Sequence, residues 1–285
     1  MKAVIMAGGL GSRLYPLTFK RPKPMVPLVN KPVLAHILNL LKQYDINEVV
    51  LTVHHLADQI RDYFGDGRHF GMTLHYAIED TPLGTAGSVK NAQPYLDDET
   101  FIVISGDIVT DIDLAGLVQF HRAKQAVTTL ALTHVSNPRQ YGVVITDKDG
   151  YVRQYLEKPI CKILTSHMVN TGIYVFEPKI LDLLEPGIAF DFSYDLFPML
   201  LSQKAPLVGY QASGYWRDMG TLESYIQTLA DVVAGKVNHI QPGDLISDKV
   251  WANLEVDMTS NIGKLVELQR SIFSSQTNLR TKVVT

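Results

Sequence analysis

An α/β fold, with a mostly parallel mixed sheet flanked by helices, is what this sequence predicts. Short apolar runs alternate with helix-patterned segments through the first hundred residues. Those runs are apolar throughout rather than alternating, as strands covered on both faces are. The strongest polar features follow directly after two of the runs, at the carboxyl ends where open α/β sheets gather their ligands.

"AVIM" (Ala3–Met6) opens the chain as a buried strand. "PVLAHILNLLKQY" (32–44) reads as a helix, with a proline suited to its first turn and leucines along one face. "EVVLTV" is a strand, "LADQIRDYF" (56–64) a helix, "TLHYAIE" a strand and "TAGSVKNAQPYL" largely helix. "FIVISGD" (101–107) is an apolar strand ending in polar residues. From about Ala126 the pattern turns β-rich, with "AVTTLALTHV", "GVVITD", "YVRQYLE" and "NTGIYVFE". Asp149-Gly150 in "ITDKDGYV" marks a hairpin turn. A helix near 194–203, the strands "LVGYQ" and "GYWRDM", and the helix "ESYIQTLADVVAG", closed by Gly235, complete one domain over residues 1–235. Residues 236–285 form a tail in which aliphatics recur every six residues at Val250, Val256 and Ile262. That spacing predicts a stub of left-handed β-helix, too short to bury its own face.

Hydrophobic residues make up 46% of the 285, enough for a sizeable core. A net charge of −3 excludes the broad basic face of a general nucleic-acid binder, so an anionic ligand must be held by a few placed cations. The single cysteine, Cys161, permits no internal disulfide and has no neighbouring base, which reads as an inert thiol in a reducing compartment. The apolar run at the N-terminus is too short for a signal peptide, and none approaches the ~18 residues of a membrane span. A soluble, cytoplasmic protein without a membrane partner is the expectation; self-association is left open.

"AGGLGSRLYPLT", beginning at Ala7, fails two phosphate-loop patterns. The dinucleotide fingerprint counted from Gly9 meets Leu14 where it needs glycine, and the P-loop lysine is absent. What remains is a glycine turn whose backbone N–H groups can approach an anion, with Arg13 able to take two phosphate oxygens. Lys23 follows in "RPKPMVP", where flanking prolines predict a stiff extended segment that holds the ammonium in place. Arg21 is its rival, read as solvated.

"GGLGSRLYPLT" followed by "RPKPMVP" resembles the signature of the sugar-nucleotide pyrophosphorylases, a nucleotidyltransferase family, and matches it at every fixed position. "PLGTAG", "SGD", "YGVV", "EKP", "NTGIY" and "WRDMG" follow in the family's order over roughly residues 1–235, and "EDTPLGTAG" and "NTGIYVFEP" are most similar to the mannose-1-phosphate guanylyltransferase branch. The resemblance implies a Rossmann-like catalytic domain that condenses a sugar 1-phosphate with an NTP. The products are an NDP-sugar and pyrophosphate. GTP and mannose 1-phosphate giving GDP-mannose is the first expectation, glucose 1-phosphate with UTP or dTTP the second.

The resemblance also assigns residues. Arg13 and Lys23 are the catalytic cations, and Asp107 and Asp218 hold Mg²⁺. Ala7, Gly8, Gly9, Gly11, Ser12, Glu79, Gly84 and Thr85 surround the nucleotide, while Gly142, Glu157, Lys158 and Asn170 surround the sugar phosphate. Two readings from other classes compete. "DID" (111–113) resembles the metal motif of glycosyltransferases, although Asp113 also suits a helix N-cap. A silent regulatory subunit that binds an NDP-sugar would lack the cations and carboxylates present here. His54-His55 is not spaced for a shared metal and reads as structural.

Overall fold

The computed structural model describes residues 1–29, 31–96, 98–160 and 164–240. Cys161 and the six-residue periodicity of the tail lie outside them. In chain order the elements begin with β1 (Ala3–Met6), β2 (Pro27–Leu28), β3 (Lys31–Pro32), α1 (Val33–Gln43), β4 (Glu48–Val53), α2 (Ala57–Phe64) and β5 (Thr73–Ile78). Next come α3 (Gly84–Asn91), β6 (Phe101–Ser105), β7 (Ile108–Thr110), α4 (Leu114–Lys124) and β8 (Thr128–His134). Then follow β9 (Gly142–Thr146), β10 (Val152–Glu157), β11 (Met168–Phe176), α5 (Phe197–Ser202), β12 (Leu207–Gln211), β13 (Trp216–Asp218) and α6 (Leu222–Val233).

Among the described residues, nine strands form one sheet in the order β10-β9-β11-β6-β1-β4-β5, with β8 also on β11 and β12 beyond β8. β6, β1, β4 and β5 run parallel; β11 joins β6 antiparallel, and β9–β10 is the hairpin turned at Asp149-Gly150. The mixture has a simple cause. Helical crossovers link the first strands, whereas β9 and β10 are too close in sequence for anything but a tight turn.

Successive strand residues face opposite layers. Ile5, Leu51 and Ile104 pack with Leu34, Leu38 and Leu41 of α1 and Leu229 of α6. Val4, Val50 and Val103 pack with Ala86 and Val89 of α3 and Phe197 of α5. Both faces are covered, so these strands are apolar along most of their length. Each such Leu, Ile or Phe, fully buried, contributes about 1.5–3 kcal/mol relative to exposure.

β1 is the pivot. Its first connection leads to β4 on one side, and β6 pairs on the other. Strand order reverses there, leaving a crevice beyond its carboxyl end.

Candidate active site

A cavity of about 310 Å³ fills that crevice, lined by Ala7, Gly8, Gly9, Lys23, Glu79, Gly84, Thr85 and Asp107, among others. These residues arrive from the ends of several elements. Ala7 leaves β1 with its N–H still bonded to Thr52 O at 2.8 Å, Glu79 follows β5, Asp107 follows β6, and Gly84 opens α3.

The loop after Ala7 folds back onto Lys23. Gly11 is left-handed (φ +66°), and a Cβ there would lie 2.9 Å from Lys23 Cβ. Thr18 Oγ1 donates to Gly11 O at 2.8 Å, closing the loop around the lysine stem. Ser12 and Arg13 then form a 3₁₀ turn, with Leu14 buried beneath and Arg13 exposed above. Lys23 does not lie in an extended segment. Pro22 is extended, but Lys23–Met25 is a 3₁₀ turn with Pro24 in its first positions, where no backbone N–H is needed. Arg21, expected to be solvated, is half-buried near Tyr225, and burial lowers its pKa.

The Lys23 side chain is only 9% exposed and its ammonium reaches two carboxylates. It donates to Asp107 Oδ2, and Asp218 Oδ1 lies 3.6 Å away. Burial alone would lower the Lys23 pKa, but the charges of Asp107 and Asp218 outweigh it and hold the group above its usual value. Asp218 is pushed up by burial and by Asp107, against the pull of Lys23 and Arg13. The Arg13 guanidinium also reaches this turn: a Cβ added at Gly220 would lie 2.7 Å from Asp218 Oδ2 and 3.2 Å from Arg13 Nη2.

The donor set of this cluster fits a hard divalent cation. Two carboxylates converge on one positive centre, and among the described residues no group of three His, Cys, Asp or Glu forms a complete cage. Two protein carboxylates completed by phosphate oxygens is how Mg²⁺ is usually held.

Beside this cluster lies a second one. Gly142 leaves no room for a side chain, since a Cβ would stand 2.0 Å from Tyr155 Oη and 2.9 Å from Glu157 Oε2. Tyr155 Oη donates to Glu157 Oε2 at 3.0 Å, and Asn170 Nδ2 donates to Tyr155 Oη (3.2 Å) and Tyr174 Oη (2.8 Å). Burial raises both phenol pKa values, so both stay protonated and able to donate. Lys158 has φ +43° and an exposed side chain 3.7 Å from Glu157 Oε1. Trp216 Nε1 donates to Thr171 O at 2.8 Å, which ties this cluster to the strand that carries Asp218.

Sequence reasoning missed several of these residues. Asp191 lines the cavity, accepts from Thr85 Oγ1 at 2.8 Å and caps the helical turn Phe192–Leu196. Only its N-cap pattern could have marked it. Tyr155 and Tyr174 read as ordinary strand residues because their partners come from other strands.

Glu79 and Thr52 each bring a buried polar atom without a partner, Glu79 Oε1 and Thr52 Oγ1, to the cavity. His54 is structural: its Nδ1 bonds to Glu79 O at 2.9 Å. Asp113 is the N-cap of α4, accepting from Ala115 N and Gly116 N.

Fold and site together define an α/β nucleotide-handling enzyme with its crevice at the strand-order reversal. Residues 2–234 match the Nucleotidyl transferase family, and the chain belongs to it. It is 34% identical to a UTP–glucose-1-phosphate uridylyltransferase of Synechocystis sp., over 95% of this chain and 76% of that protein. It is 38% identical to a mannose-1-phosphate guanylyltransferase of Mycobacterium tuberculosis, over 82% of this chain and 65% of that enzyme. The structure of HddC from Yersinia pseudotuberculosis, complexed with GMP-PN, superposes with a TM-score of 0.70 at 28% identity, covering 81% of this chain and 99% of that one. No helix among the described residues is long and apolar enough to cross a membrane.

Proposed function

We propose that the chain joins a sugar 1-phosphate to a nucleoside triphosphate, with mannose 1-phosphate and GTP as substrates and GDP-mannose and pyrophosphate as products. The observation that carries this reading is Lys23, buried between Asp107 and Asp218 at the edge of the cavity. The sugar-phosphate oxygen attacks the α-phosphorus in line, the bond to the bridging oxygen breaks, and pyrophosphate leaves without a covalent enzyme intermediate. Two polyanions must meet, so positioning and charge stabilisation supply most of the rate.

Lys23 neutralises the α-phosphate and Arg13 takes the departing pyrophosphate. Asp107 and Asp218 would hold Mg²⁺, which when bound clamps phosphate oxygens and screens their repulsion. Glu157, oriented by Tyr155, accepts from sugar hydroxyls, and Lys158 faces the sugar phosphate. Mg²⁺ and a cytoplasmic site of action belong to the same reading.

The choice of GTP rests on Glu79. Its Oε1 is buried at the cavity without a partner, and an ionised carboxylate only accepts. Guanine offers adjacent N–H groups to such an acceptor. Uracil and thymine offer one N–H flanked by carbonyls that a carboxylate repels. A uridylyl or thymidylyl activity on glucose 1-phosphate is the second reading, supported by the similarity to the Synechocystis enzyme. The glycosyltransferase reading loses its motif, because Asp113 is engaged as a cap.

A matrix of nucleoside triphosphates against sugar 1-phosphates, scored by pyrophosphate release, tests the proposal. The expected optimum is GTP with mannose 1-phosphate, with inosine triphosphate weaker than GTP because it lacks the 2-amino group. An optimum at UTP or dTTP overturns the base assignment, and no release with any pair overturns the reaction.

A further inference from the structure

Among the described residues, β7 and β13 pair only with each other, through Trp216–Thr110, Arg217–Val109 and Asp218–Ile108. Asp107 immediately precedes this ribbon and Asp218 ends it, so both carboxylates sit at one end. Met219 N–H donates to Asp107 O at 3.1 Å there. An isolated two-stranded ribbon is marginal, and a slip of one residue would turn Asp218 to the opposite face. Something must hold the register.

The other end carries a clasp. Both oxygens of Asp111 accept backbone N–H groups, Oδ1 from Tyr215 and Oδ2 from Asn238 at 2.9 Å. Asp111 N–H and Thr110 Oγ1 both donate to Tyr215 O, at 3.1 and 2.8 Å. The far end of Tyr215 is held as firmly. Its hydroxyl donates to Asp231 Oδ2 at 3.0 Å and accepts from Arg217 Nε at 3.0 Å. Arg217 Nη2 donates to the same Asp231 oxygen at 3.0 Å. Asp231, on α6, has a side chain only 3% exposed, and its other oxygen accepts from Gln227 and Lys236. Its carboxylate therefore grips the residues on both sides of Trp216, Tyr215 and Arg217, the second of them one position before Asp218.

We propose that Asp111 and Asp231 are positioning residues for the metal-binding carboxylates, acting through Tyr215 and Arg217 to fix the ribbon's register. The proposal rests on Asp107 and Asp218 being the metal ligands. It also gives "DID" a purpose: Asp113 caps the helix, and Asp111 locks the ribbon. α6 has other anchors, including Tyr225 Oη donating to Pro27 O at 2.9 Å and the Thr221–Ser224 capping box. Loss of the Asp231 carboxylate thus leaves the helix seated and frees the ribbon.

The test uses the full chain with Asp111→Ala, Asp111→Asn and Asp231→Asn, and Asp218→Asn as the control. Mg²⁺ dependence of pyrophosphate release is measured beside backbone hydrogen exchange, without metal, in peptides spanning 214–219 and in β1 and β6. For Asp111→Ala the expected result is a rise of about ten-fold or more in the Mg²⁺ needed for half-maximal rate, the size of effect seen when supports of metal ligands are removed. Exchange accelerates at 214–219 and is unchanged in β1 and β6. Asp111→Asn, which keeps one acceptor oxygen, recovers part of both effects, and Asp231→Asn reproduces them in kind.

Unchanged metal dependence, or faster exchange spread equally over β1 and β6, overturns the proposal, as does failure of both Asp111→Asn and Asp231→Asn to fold. If Asp218→Asn leaves the metal titration unaltered, the metal-ligand reading itself fails. If Asp218→Asn shifts it and the Asp111 and Asp231 variants do not, only the clasp fails.

Discussion

Lys23 is a buried cation whose neighbours keep it charged, the state its proposed role in phosphate transfer needs before substrate arrives. Burial opposes the charge, while Asp107 and Asp218 more than compensate. Lys23→Ala should lower turnover by roughly 10²–10³-fold, the range found when one preorganised donor to a transition state is removed. The circular dichroism spectrum should stay native. Near-normal pyrophosphate release would remove the lysine from the chemistry. On the neighbouring cluster, Gly142→Ala puts a methyl group into the Tyr155–Glu157 hydrogen bond. Such overpacking costs about 1–3 kcal/mol. It should raise the KM for the sugar phosphate and leave nucleotide affinity alone, which initial-rate kinetics with either substrate varied will separate. Gly11 and Gly142 stand in recognisable motifs, yet their reasons differ: one lies under the lysine stem, the other makes room for a tyrosine hydroxyl.

At the scale of elements, α4 is joined to the sheet through a buried histidine. His121 is 1% exposed; its Nδ1 bonds to Thr129 Oγ1 at 2.7 Å on β8, and its Nε2 to Glu177 Oε1 at 3.0 Å just after β11. Burial lowers its pKa, outweighing the pull of Glu177, so the ring is neutral and donates to the carboxylate. The folded pKa lies below the unfolded value of about 6.5, so below that pH the unfolded chain takes the proton first. The contribution is therefore complete above pH 6.5 and is lost as pH falls through the folded value. Urea midpoints measured at about pH 7.5 and pH 5.5 should drop on acidification in the native chain and drop less in His121→Gln. A slope untouched by the substitution would place acid sensitivity elsewhere. The Lys23 segment teaches a related lesson. Prolines on both sides predicted an extended run, but a 3₁₀ turn accepts proline in its first positions and swings the lysine toward the carboxylates.

For the molecule as a whole, the sheet's covered centre and exposed margins predict an order of opening. Amides of β1, β4 and β6, whose apolar side chains are buried on both faces, should exchange last, with edge strands β5 and β10 ahead of them. Exchange followed by mass spectrometry checks this, and earlier opening of β1 than of β10 would contradict it. The same arrangement places the site. Strand order reverses at β1, so loops after β1, β4, β5 and β6 converge although up to a hundred residues separate them.

The sequence by itself determined the alternation of strands and helices, the hairpin at Asp149-Gly150, the cap at Asp113 and the motifs on which Arg13, Lys23, Asp107 and Asp218 stand. These are legible because each depends on a local period, a turn residue or a short spacing. Only the tertiary structure decided that Lys23 would lie between Asp107 and Asp218, that Asp191 would reach Thr85, and that Asp111 and Asp231 would close on Tyr215. Those contacts join residues 16 to 195 positions apart. No local preference encodes them; they follow from how a doubly covered sheet brings the ends of its strands together.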